Sequence, residues 1–257
     1  MKYKTCISVA ENSPKKIKNK VKESFKKSDY VEVRLDFLKT KDVPETLESI
    51  KKDLKKVVCT LRPKKEGGKF TGSEKERIAI LKLIAEYNPF LLDVEFNTLN
   101  KNKELSKYLK STKTKLLVSW HDFKKTPKSS ELKNKIKKMS KFSNNVKIVS
   151  TAKSVDDATR MLELYNKTGK NNLISFAMGD AGKISRILCL YLGSPYTYVS
   201  LGKAVAPGQF SVDEVNKIIN LKSNMWEIES LNQSISQKAH GRSEEHTSEL
   251  QSRPHIS

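Results

Sequence analysis

Two side chains in the sequence have the chemical character of catalytic groups, Lys147 and His121. Lys147 lies between Val146 and Ile148, and an amine held in an apolar strand loses hydration, which lowers its pKa and makes it nucleophilic toward a carbonyl. His121 is the only histidine before residue 240, and an imidazole titrates near neutral pH, so it is the natural general acid or base. Two structural roles compete with these assignments: a strand-end lysine that extends to solvent, and a hydrogen-bonded core histidine.

Arginine is rare in this chain, since 43 of the 50 basic residues are lysine. Arg34, Arg62 and Arg186 fall at or just beyond the ends of predicted strands. A planar guanidinium binds a carboxylate or phosphate through two parallel hydrogen bonds, so three converging arginines predict an anionic substrate. A salt bridge within the protein is the alternative for each of them. Arg77 and Arg160 lie in the middle of predicted helices, where we expect structural roles.

The elements that must position these residues alternate regularly along the chain. Eight apolar, β-rich segments are separated by longer amphipathic segments with helical periodicity, and Ser73 and Ser154 can cap two of these helices. Eight repeated strand and helix units with short connections predict an α/β fold, a single-domain (β/α)8 barrel. An open doubly wound sheet is the alternative. The predicted strands cover residues 5–10, 30–37, 56–62, 90–96, 115–123, 146–152, 173–179 and 196–202.

Three of the predicted strands carry charged residues on one face. Strands of a parallel barrel are covered on both sides and normally read as apolar runs. Side chains alternate along a strand, so the charged faces point into the barrel if the apolar faces meet the helices. We expect them to form the polar floor of an active site, and a buried network of ion pairs is the alternative. The charged residues are Glu32, Arg34 and Asp36 in the second strand, Asp93 and Glu95 in the fourth, and Lys147 in the sixth.

Composition and charge exclude several classes of protein. Of the 257 residues, 37% are hydrophobic and 31% are charged, which is typical of a globular chain rather than a disordered one. No apolar run reaches the roughly 18 residues that span a bilayer, and the first residues lack a hydrophobic signal core, so we expect a cytoplasmic protein without membrane contact. The net charge of +21 is compatible with a nucleic-acid partner, but the lysines are spread along the chain and aromatic residues make up only 7%, so we expect none.

The sequence contains no motif for a metal or a nucleotide cofactor, and we expect neither. Cys6, Cys59 and Cys189 are too far apart in sequence for a CxxC motif and are odd in number, which argues against a zinc site or a disulfide framework. We expect them to be reduced and buried. The glycine-rich segments at residues 66–72 and 179–185 have neither Rossmann nor Walker spacing. The segment APGQ at residues 206–209 follows the eighth predicted strand and can form a lid.

The last residues differ in character from the rest of the chain. Residues 242–257 (RSEEHTSELQSRPHIS) have no apolar periodicity and break the arginine-poor composition. RSEEHTSELQS resembles the translation of a common sequencing-library adaptor, so we predict a non-native tail. The expected organisation is a catalytic barrel at residues 1–221, a C-terminal extension of uncertain character at 222–241, and this tail at 242–257.

Seven motifs occur together in the order and spacing of one family: EVRLD, TLRPKKEGG, DVEF, SWHDF, VKI, ISR and APGQ. From about Cys6 to Val215 the sequence resembles the type I 3-dehydroquinate dehydratases. The resemblance implies a (β/α)8 barrel, usually a homodimer, that acts in the shikimate pathway of aromatic amino-acid biosynthesis without metal or cofactor. It implies dehydration of the small-molecule substrate 3-dehydroquinate to 3-dehydroshikimate through a lysine Schiff base.

The resemblance also assigns roles to individual positions. Lys147 in VKI matches the imine-forming lysine, His121 in SWHDF matches the acid/base histidine, and Glu66 in RPKKEGG matches the carboxylate that orients and charges this histidine. One departure concerns the lid, where Val205 stands in place of a serine that often precedes APGQ in the family; loss of this hydroxyl is expected to weaken substrate binding. The positions that match substrate-binding residues are Glu32, Arg34, Arg62, Arg186 and Gln209.

A different barrel enzyme is the main functional alternative. An aldolase that forms a Schiff base would use the same lysine and similar polar strands to act on a small anionic keto substrate. Such enzymes usually bind sugar phosphates, for which we expect a backbone phosphate cradle after the seventh and eighth strands. The APGQ segment has too little glycine to favour one.

Overall fold

The computed structural model of the protein describes residues 3–167, 172–202, 204–206 and 208–220. Met1–Val215 form one compact unit. A second unit comprises Asn216–Ser257, and only its residues 216–220 are described. The predicted boundaries after residues 221 and 241, and the predicted tail at 242–257, lie outside the described residues and stay predictions.

Eight parallel strands form a nearly closed (β/α)8 barrel, which confirms the predicted fold class. The strands are hydrogen-bonded in the order β7-β6-β5-β4-β3-β2-β1-β8, so neighbours in sequence are neighbours in space. The first and last strands pair with each other, with Thr5 aligned on Thr197; this rules out the doubly wound alternative. The strands are β1 (Thr5–Val9), β2 (Tyr30–Arg34), β3 (Val57–Thr60), β4 (Leu91–Glu95), β5 (Leu116–Asp122), β6 (Asn145–Thr151), β7 (Asn172–Met178) and β8 (Thr197–Val199).

Helices follow the strands and cover the outside of the barrel. Their first turns are capped by the residue types that the sequence offers: the Ser73 hydroxyl accepts a hydrogen bond from the Glu76 amide, and the Ser154 hydroxyl accepts one from the Asp157 amide. Both predicted caps are therefore confirmed. The described helices are α1 (Pro14–Ser24), α2 (Val43–Ser49), α3 (Glu74–Glu86), α4 (Phe96–Lys101), α5 (Lys103–Ser111), α6 (Ser129–Met139), α7 (Val155–Leu162), α8 (Ser185–Tyr191) and α9 (Val212–Asn220).

The interior of the barrel is filled by apolar side chains near the amino ends of its strands. The aromatic ring of Tyr30, at the start of β2, stacks on that of Phe90, just before β4, with the ring centroids 4.5 Å apart. Together with buried side chains such as Cys6, Tyr196 and Tyr198, these rings form an apolar cluster inside the barrel. The carboxyl ends of the strands are left for polar groups. No described helix has the length and apolar composition needed to cross a membrane.

Six of the eight predicted strands are longer than the observed ones, and the second and eighth run furthest past their observed ends. The second was expected to reach residue 37, but β2 ends at Arg34 and a short 3-10 turn, Leu35–Phe37, follows it. The eighth was expected to reach residue 202, but β8 ends at Val199. In both places apolar residues continue past the last ladder hydrogen bond, so composition alone could not show where the pairing stops.

Candidate active site

A cavity opens at the carboxyl ends of the strands, the position at which barrel enzymes carry out catalysis. Side chains from six strands and from the following loops meet there. All of the residues predicted for the site line this one cavity, although they are spread over most of the chain. The lining consists of these predicted residues, Glu32, Arg34, Arg62, Glu66, His121, Lys147, Arg186 and Gln209, together with Ser8, Gly67, Phe123, Val149, Phe176, Met178, Tyr198, Val205 and Ala206.

Lys147 points into the barrel from the middle of β6, and only 7% of its side chain is exposed. Its amine nitrogen lies 3.6 Å from Asp93 Oδ2 and 4.0 Å from Glu32 Oε1. Burial lowers the pKa of Lys147, and the two carboxylates oppose this shift while Arg62 and Arg34 reinforce it. The alternative of a strand-end lysine extending to solvent is therefore wrong, and the amine is suited to attack a carbonyl.

His121 lies on the neighbouring strand β5 and faces a carboxylate. Its Nδ1 is 3.9 Å from Glu66 Oε2, and both atoms are buried without a hydrogen-bond partner among the described residues. Burial lowers the pKa of His121 well below its ordinary value, and the charges of Arg62 and Lys147 add to the effect. The imidazole is therefore neutral near pH 7 and able to accept a proton.

Glu66 is held by a short turn that follows β3, Lys64–Glu66. Gly67 ends this turn at a positive φ of 77°, and the ring of Phe123 occupies the space into which a side chain at this position would extend. The same ring stacks beside the His121 imidazole, with centroids 5.9 Å apart. On the other side, the Asn97 side-chain amide donates a 3.1 Å hydrogen bond to Glu66 Oε1. Burial raises the pKa of Glu66, with Glu95 as the next cause and Arg62 opposing.

Arg62 is the centre of a buried ion-pair network. Its guanidinium donates 2.7 Å and 2.9 Å hydrogen bonds to Asp93 and Glu95, and a further 2.7 Å bond to the Ser119 hydroxyl. Burial acts to lower the pKa of Arg62, but Asp93 and Glu95 outweigh it and the net shift is upward. Arg77 extends the network from α3 with a 2.7 Å hydrogen bond to the second oxygen of Glu95, so its predicted structural role is confirmed.

This network corrects the prediction that the inward-facing acids form the floor of the active site. Asp93 and Glu95 are fully buried and do not line the cavity, whereas Glu32 does. A carboxylate in the interior needs a paired cation, and Arg62 supplies it for both residues. The ion-pair network and the polar site are therefore layers of one arrangement rather than alternatives.

The position of Asp36 also differs from the prediction, and Arg34 forms an ion pair with it. Asp36 was predicted to share the inner face of the second strand with Glu32, but it lies in the turn after β2 and is buried there. It accepts two hydrogen bonds from Arg34, 2.8 Å and 2.7 Å long, and one from the Lys69 amide. The Arg34 guanidinium is thereby fixed at the rim of the cavity.

Glu32 and Gln209 join the barrel to the loop after β8. The hydroxyls of Ser8 and Thr60 each donate a 2.9 Å hydrogen bond to one oxygen of Glu32. Gln209 donates a 3.4 Å hydrogen bond to Ser8, and its carbonyl oxygen accepts a 3.0 Å bond from the Val205 amide. The described part of the APGQ segment thus lies over the cavity, as its predicted role as a lid requires.

Arg186 reaches the cavity from a helix rather than from a strand end. It is the second residue of α8, and its guanidinium carbon lies 4.4 Å from the centroid of the Phe176 ring. Burial lowers the pKa of Arg186 to about 10, which leaves it positively charged at neutral pH.

Sequence reasoning missed Ser8, Asn97, Phe123 and Tyr198, which line the cavity or contact a group that does. Tyr198 had a usable signal, since strand alternation places it inside the barrel with Cys6, its partner in the pairing of β1 with β8. Asn97 had none, because it lies in α4 and meets Glu66 only through the tertiary fold. Within the described ranges, no group of three or more His, Cys, Asp or Glu side chains is arranged to hold a metal ion.

Comparisons with known proteins agree on one family. The sequence profile of type I 3-dehydroquinase matches residues 5–225. A 3-dehydroquinate dehydratase from Methanococcus maripaludis is 39% identical over 221 residues, which cover 84% of this chain and 98% of that protein. The corresponding protein from Methanocaldococcus jannaschii is 37% identical over 221 residues, covering 84% and 97%.

Solved structures agree as well. A type I 3-dehydroquinate dehydratase from Clostridium difficile superposes with a TM-score of 0.76 at 26% identity, covering 87% of this chain and 93% of that one. The enzyme from Geobacillus kaustophilus gives a TM-score of 0.79 at 23% identity, covering 87% and 92%, which supports the barrel fold. By the extent of these matches, the chain belongs to the type I 3-dehydroquinase family.

Proposed function

We propose that this protein is a 3-dehydroquinate dehydratase that converts 3-dehydroquinate to 3-dehydroshikimate and water through an imine on Lys147. The observation that carries the proposal is the position of the Lys147 amine, which is buried in the barrel and shares one cavity with His121. Membership of the family supports the reaction, since the curated relatives are 3-dehydroquinate dehydratases.

The first step joins Lys147 to the substrate. The lowered pKa increases the fraction of free amine, which attacks the C3 ketone. The ketone oxygen leaves as water, and the protonated imine that forms withdraws electrons from C2. The C2 proton becomes acidic enough for a neighbouring base to remove.

His121 is the group that moves this proton. Its lowered pKa keeps the imidazole neutral before the reaction, so it accepts the C2 proton and afterwards donates a proton to the departing C1 hydroxyl. Glu66 Oε2, 3.9 Å from Nδ1, stabilises the imidazolium that exists between the two transfers. Hydrolysis of the imine then releases the product and restores the amine.

The remaining cavity residues bind and orient the substrate. Arg34, Arg62 and Arg186 line the cavity, where their guanidinium groups can donate hydrogen bonds to a substrate carboxylate. Glu32 and Gln209 offer oxygen and amide groups to the substrate hydroxyls. One bound complex holds the ketone, the C2 proton and the C1 hydroxyl in fixed positions relative to the catalytic groups. The reaction therefore does not depend on separate collisions between the substrate and each of these groups.

Borohydride trapping tests the proposal. With 3-dehydroquinate present, reduction of the imine should leave one stable secondary amine on the peptide that contains Lys147, as measured by intact mass and peptide mapping. Dehydration is followed in parallel by the ultraviolet absorbance of the conjugated product. Lys147→Arg keeps the positive charge but removes the nucleophile, so it should abolish both the adduct and the turnover.

Lys153→Arg is the matched control, because Lys153 lies just after the same strand but is exposed. It should keep the adduct and the activity of the parent enzyme. An active Lys147→Arg enzyme, or an adduct spread over surface lysines, contradicts the imine assignment. A specific adduct at Lys147 without dehydration of 3-dehydroquinate would favour the aldolase alternative instead.

The proposal includes the biological setting that the family implies. We place the reaction in the shikimate pathway, in the cytoplasm, and in a homodimer. Light scattering on the purified protein measures the mass in solution and tests the dimer directly.

A further inference from the structure

The aromatic ring of Tyr198 lies against the reacting nitrogen, and the mechanism above does not use it. Lys147 Nζ is 4.1 Å from the centroid of this ring. Tyr198 is the middle residue of β8, and only 4% of it is exposed. The face of an aromatic ring carries partial negative charge, so a cation at this distance is attracted to it, and the attraction is strongest where water is excluded.

The contact is made by the ring and not by the phenol hydroxyl. Tyr198 Oη is buried and has no hydrogen-bond partner among the described residues. The ring of Tyr196 packs against Tyr198 almost edge-on, with centroids 5.4 Å apart and planes inclined by 76°, which helps to fix the orientation of the Tyr198 ring. The face that Tyr198 turns toward Lys147 is therefore held in place by the barrel core.

We propose that Tyr198 is a catalytic residue whose ring face stabilises positive charge on the Lys147 nitrogen, first as the ammonium and then as the protonated imine. The part of this inference that concerns the protonated imine rests on the proposed function. In the balanced step, the Lys147 ammonium first loses a proton, and the free amine adds to the C3 ketone to give a carbinolamine. This carbinolamine takes up a proton and loses water, so that a carbon–nitrogen double bond replaces the carbon–oxygen double bond. The ring therefore faces a cation before the amine is released and again once the protonated imine has formed.

A ring offers an advantage over a further carboxylate at this position. A carboxylate would stabilise the cation but would also accept a strong hydrogen bond from it and compete for its proton. A ring face attracts the cation without removing the proton that makes the imine an electron sink. The charged or titratable groups that act on Lys147 from the surrounding elements are Cys6, Glu32, Arg34, Arg62, Asp93 and His121.

Stepwise fluorination of the ring tests the proposal without changing the shape of the core. Phenylalanine and its mono-, di- and trifluoro derivatives are incorporated at position 198, and fluorine progressively weakens the negative charge of the ring face. The pKa of Lys147 in the substrate-free protein is read from the pH dependence of its reductive methylation by formaldehyde, resolved by peptide mapping. With 3-dehydroquinate as the substrate, kcat is measured as a function of pH, and the pH at which it falls on the alkaline side is recorded.

Tyr198→Phe keeps the ring face and is the reference point of the series. Along the fluorinated series, the pKa of Lys147 and the alkaline limb of kcat should both move to lower pH, by about one unit in total. The same series at Tyr196, which belongs to the same cluster, should leave both values unchanged. A change confined to melting temperature would indicate a packing role and overturn the proposal.

Two other outcomes are decisive. If the pKa of Lys147 is the same in the phenylalanine and trifluorophenylalanine variants, the ring does not stabilise the cation and the proposal is wrong. If this pKa follows the series but the protein does not dehydrate 3-dehydroquinate, the contact between ring and ammonium is supported and the proposed function is the part that fails.

Discussion

The environment of each residue, more than its type, gives the cavity its chemistry. The chain has 43 lysines, and those described on helices such as α1 and α6 are exposed or half-buried, whereas Lys147 is buried between two carboxylates and an aromatic ring. His121 is likewise buried beside cationic groups, which keeps its imidazole neutral. Under the proposed function, these environments make a nucleophile and a base of two side chains that are both largely protonated in acidic water.

Replacement of His121 should separate imine formation from elimination. In His121→Ala the amine is intact and can still react with the ketone, but the group that moves the C2 proton is lost. Turnover should fall about 100-fold or more, the scale expected for removal of a general acid/base, while borohydride still traps an adduct at Lys147. Near-normal turnover would assign the proton transfer to another residue.

His121 should also make the folding stability depend on pH. Its pKa in the folded protein lies below the ordinary 6.5 of the unfolded chain, so the unfolded state binds a proton first as the pH falls. Acidification from about pH 7.5 to about pH 5.5 should therefore cost the parent up to about 1 kcal/mol more unfolding free energy than His121→Gln, which has no titrating group there. Urea unfolding of both proteins at the two pH values measures the difference. Equal losses would show that the imidazole takes up its proton as easily in the folded state.

Loops and short turns bring the remaining groups to the ends of the strands. Glu66 comes from the turn after β3, and the following glycines let this turn pack tightly. A side-chain carbon at Gly68 would overlap the backbone carbonyl group of Arg62, so the turn packs directly against the backbone of this residue. The position of the Glu66 carboxylate is therefore tied to that of the Arg62 backbone.

Gly68→Ala should disturb this contact. The added methyl group meets backbone atoms that cannot move without shifting Arg62 or the Lys64–Glu66 turn, so both melting temperature and kcat should fall. Gly72→Ala is the matched control, because its methyl group meets only the side chains of Phe70 and Glu76, which can rotate away. Thermal unfolding and steady-state kinetics of the two variants test the prediction, and an equal effect in both would argue against a specific role of Gly68.

On the scale of the whole molecule, the lysine-rich surface and the arginine-lined cavity act in the same direction. A net charge of +21 creates a positive potential that attracts a small anionic substrate over distances of about 10 Å at moderate salt. Under the proposed function, the three cavity arginines then bind the substrate at short range. The surface contributes to encounter, and the cavity determines orientation.

Removal of residues 242–257 should leave the enzyme unchanged. The segment has no apolar periodicity and offers no face for a core, so melting temperature and activity should equal those of the parent within error. A deletion that begins at residue 212 is the control: it removes Val212 and Val215, which are buried, and should lower the melting temperature. A drop of several degrees on deletion of 242–257 alone would show that the segment is a structural element.

The sequence by itself indicated eight strand and helix units and two candidate reactive groups, whereas the pairing of β1 with β8 decided between a barrel and an open sheet. Eight apolar segments alternating with helical periodicity leave few arrangements other than a (β/α)8 barrel, because each parallel strand needs a crossover helix. The apolar neighbours of Lys147 and the place of His121 near the end of a strand marked both as candidates, and the family resemblance implied that they share one site. Local patterns carry this information, since burial and periodicity are properties of neighbouring residues.

Only the tertiary structure decided which charged groups belong to the cavity and which lie beneath it. Strand alternation fixes the side to which Glu32, Asp93 and Glu95 point, but not their depth or their partners. Arg62 pairs with Asp93, 31 positions away, and Gln209 meets Ser8, 201 positions away. Contacts such as Asn97 with Glu66 and Tyr198 with Lys147 arise where strands and loops distant in sequence converge, and no local pattern specifies that convergence.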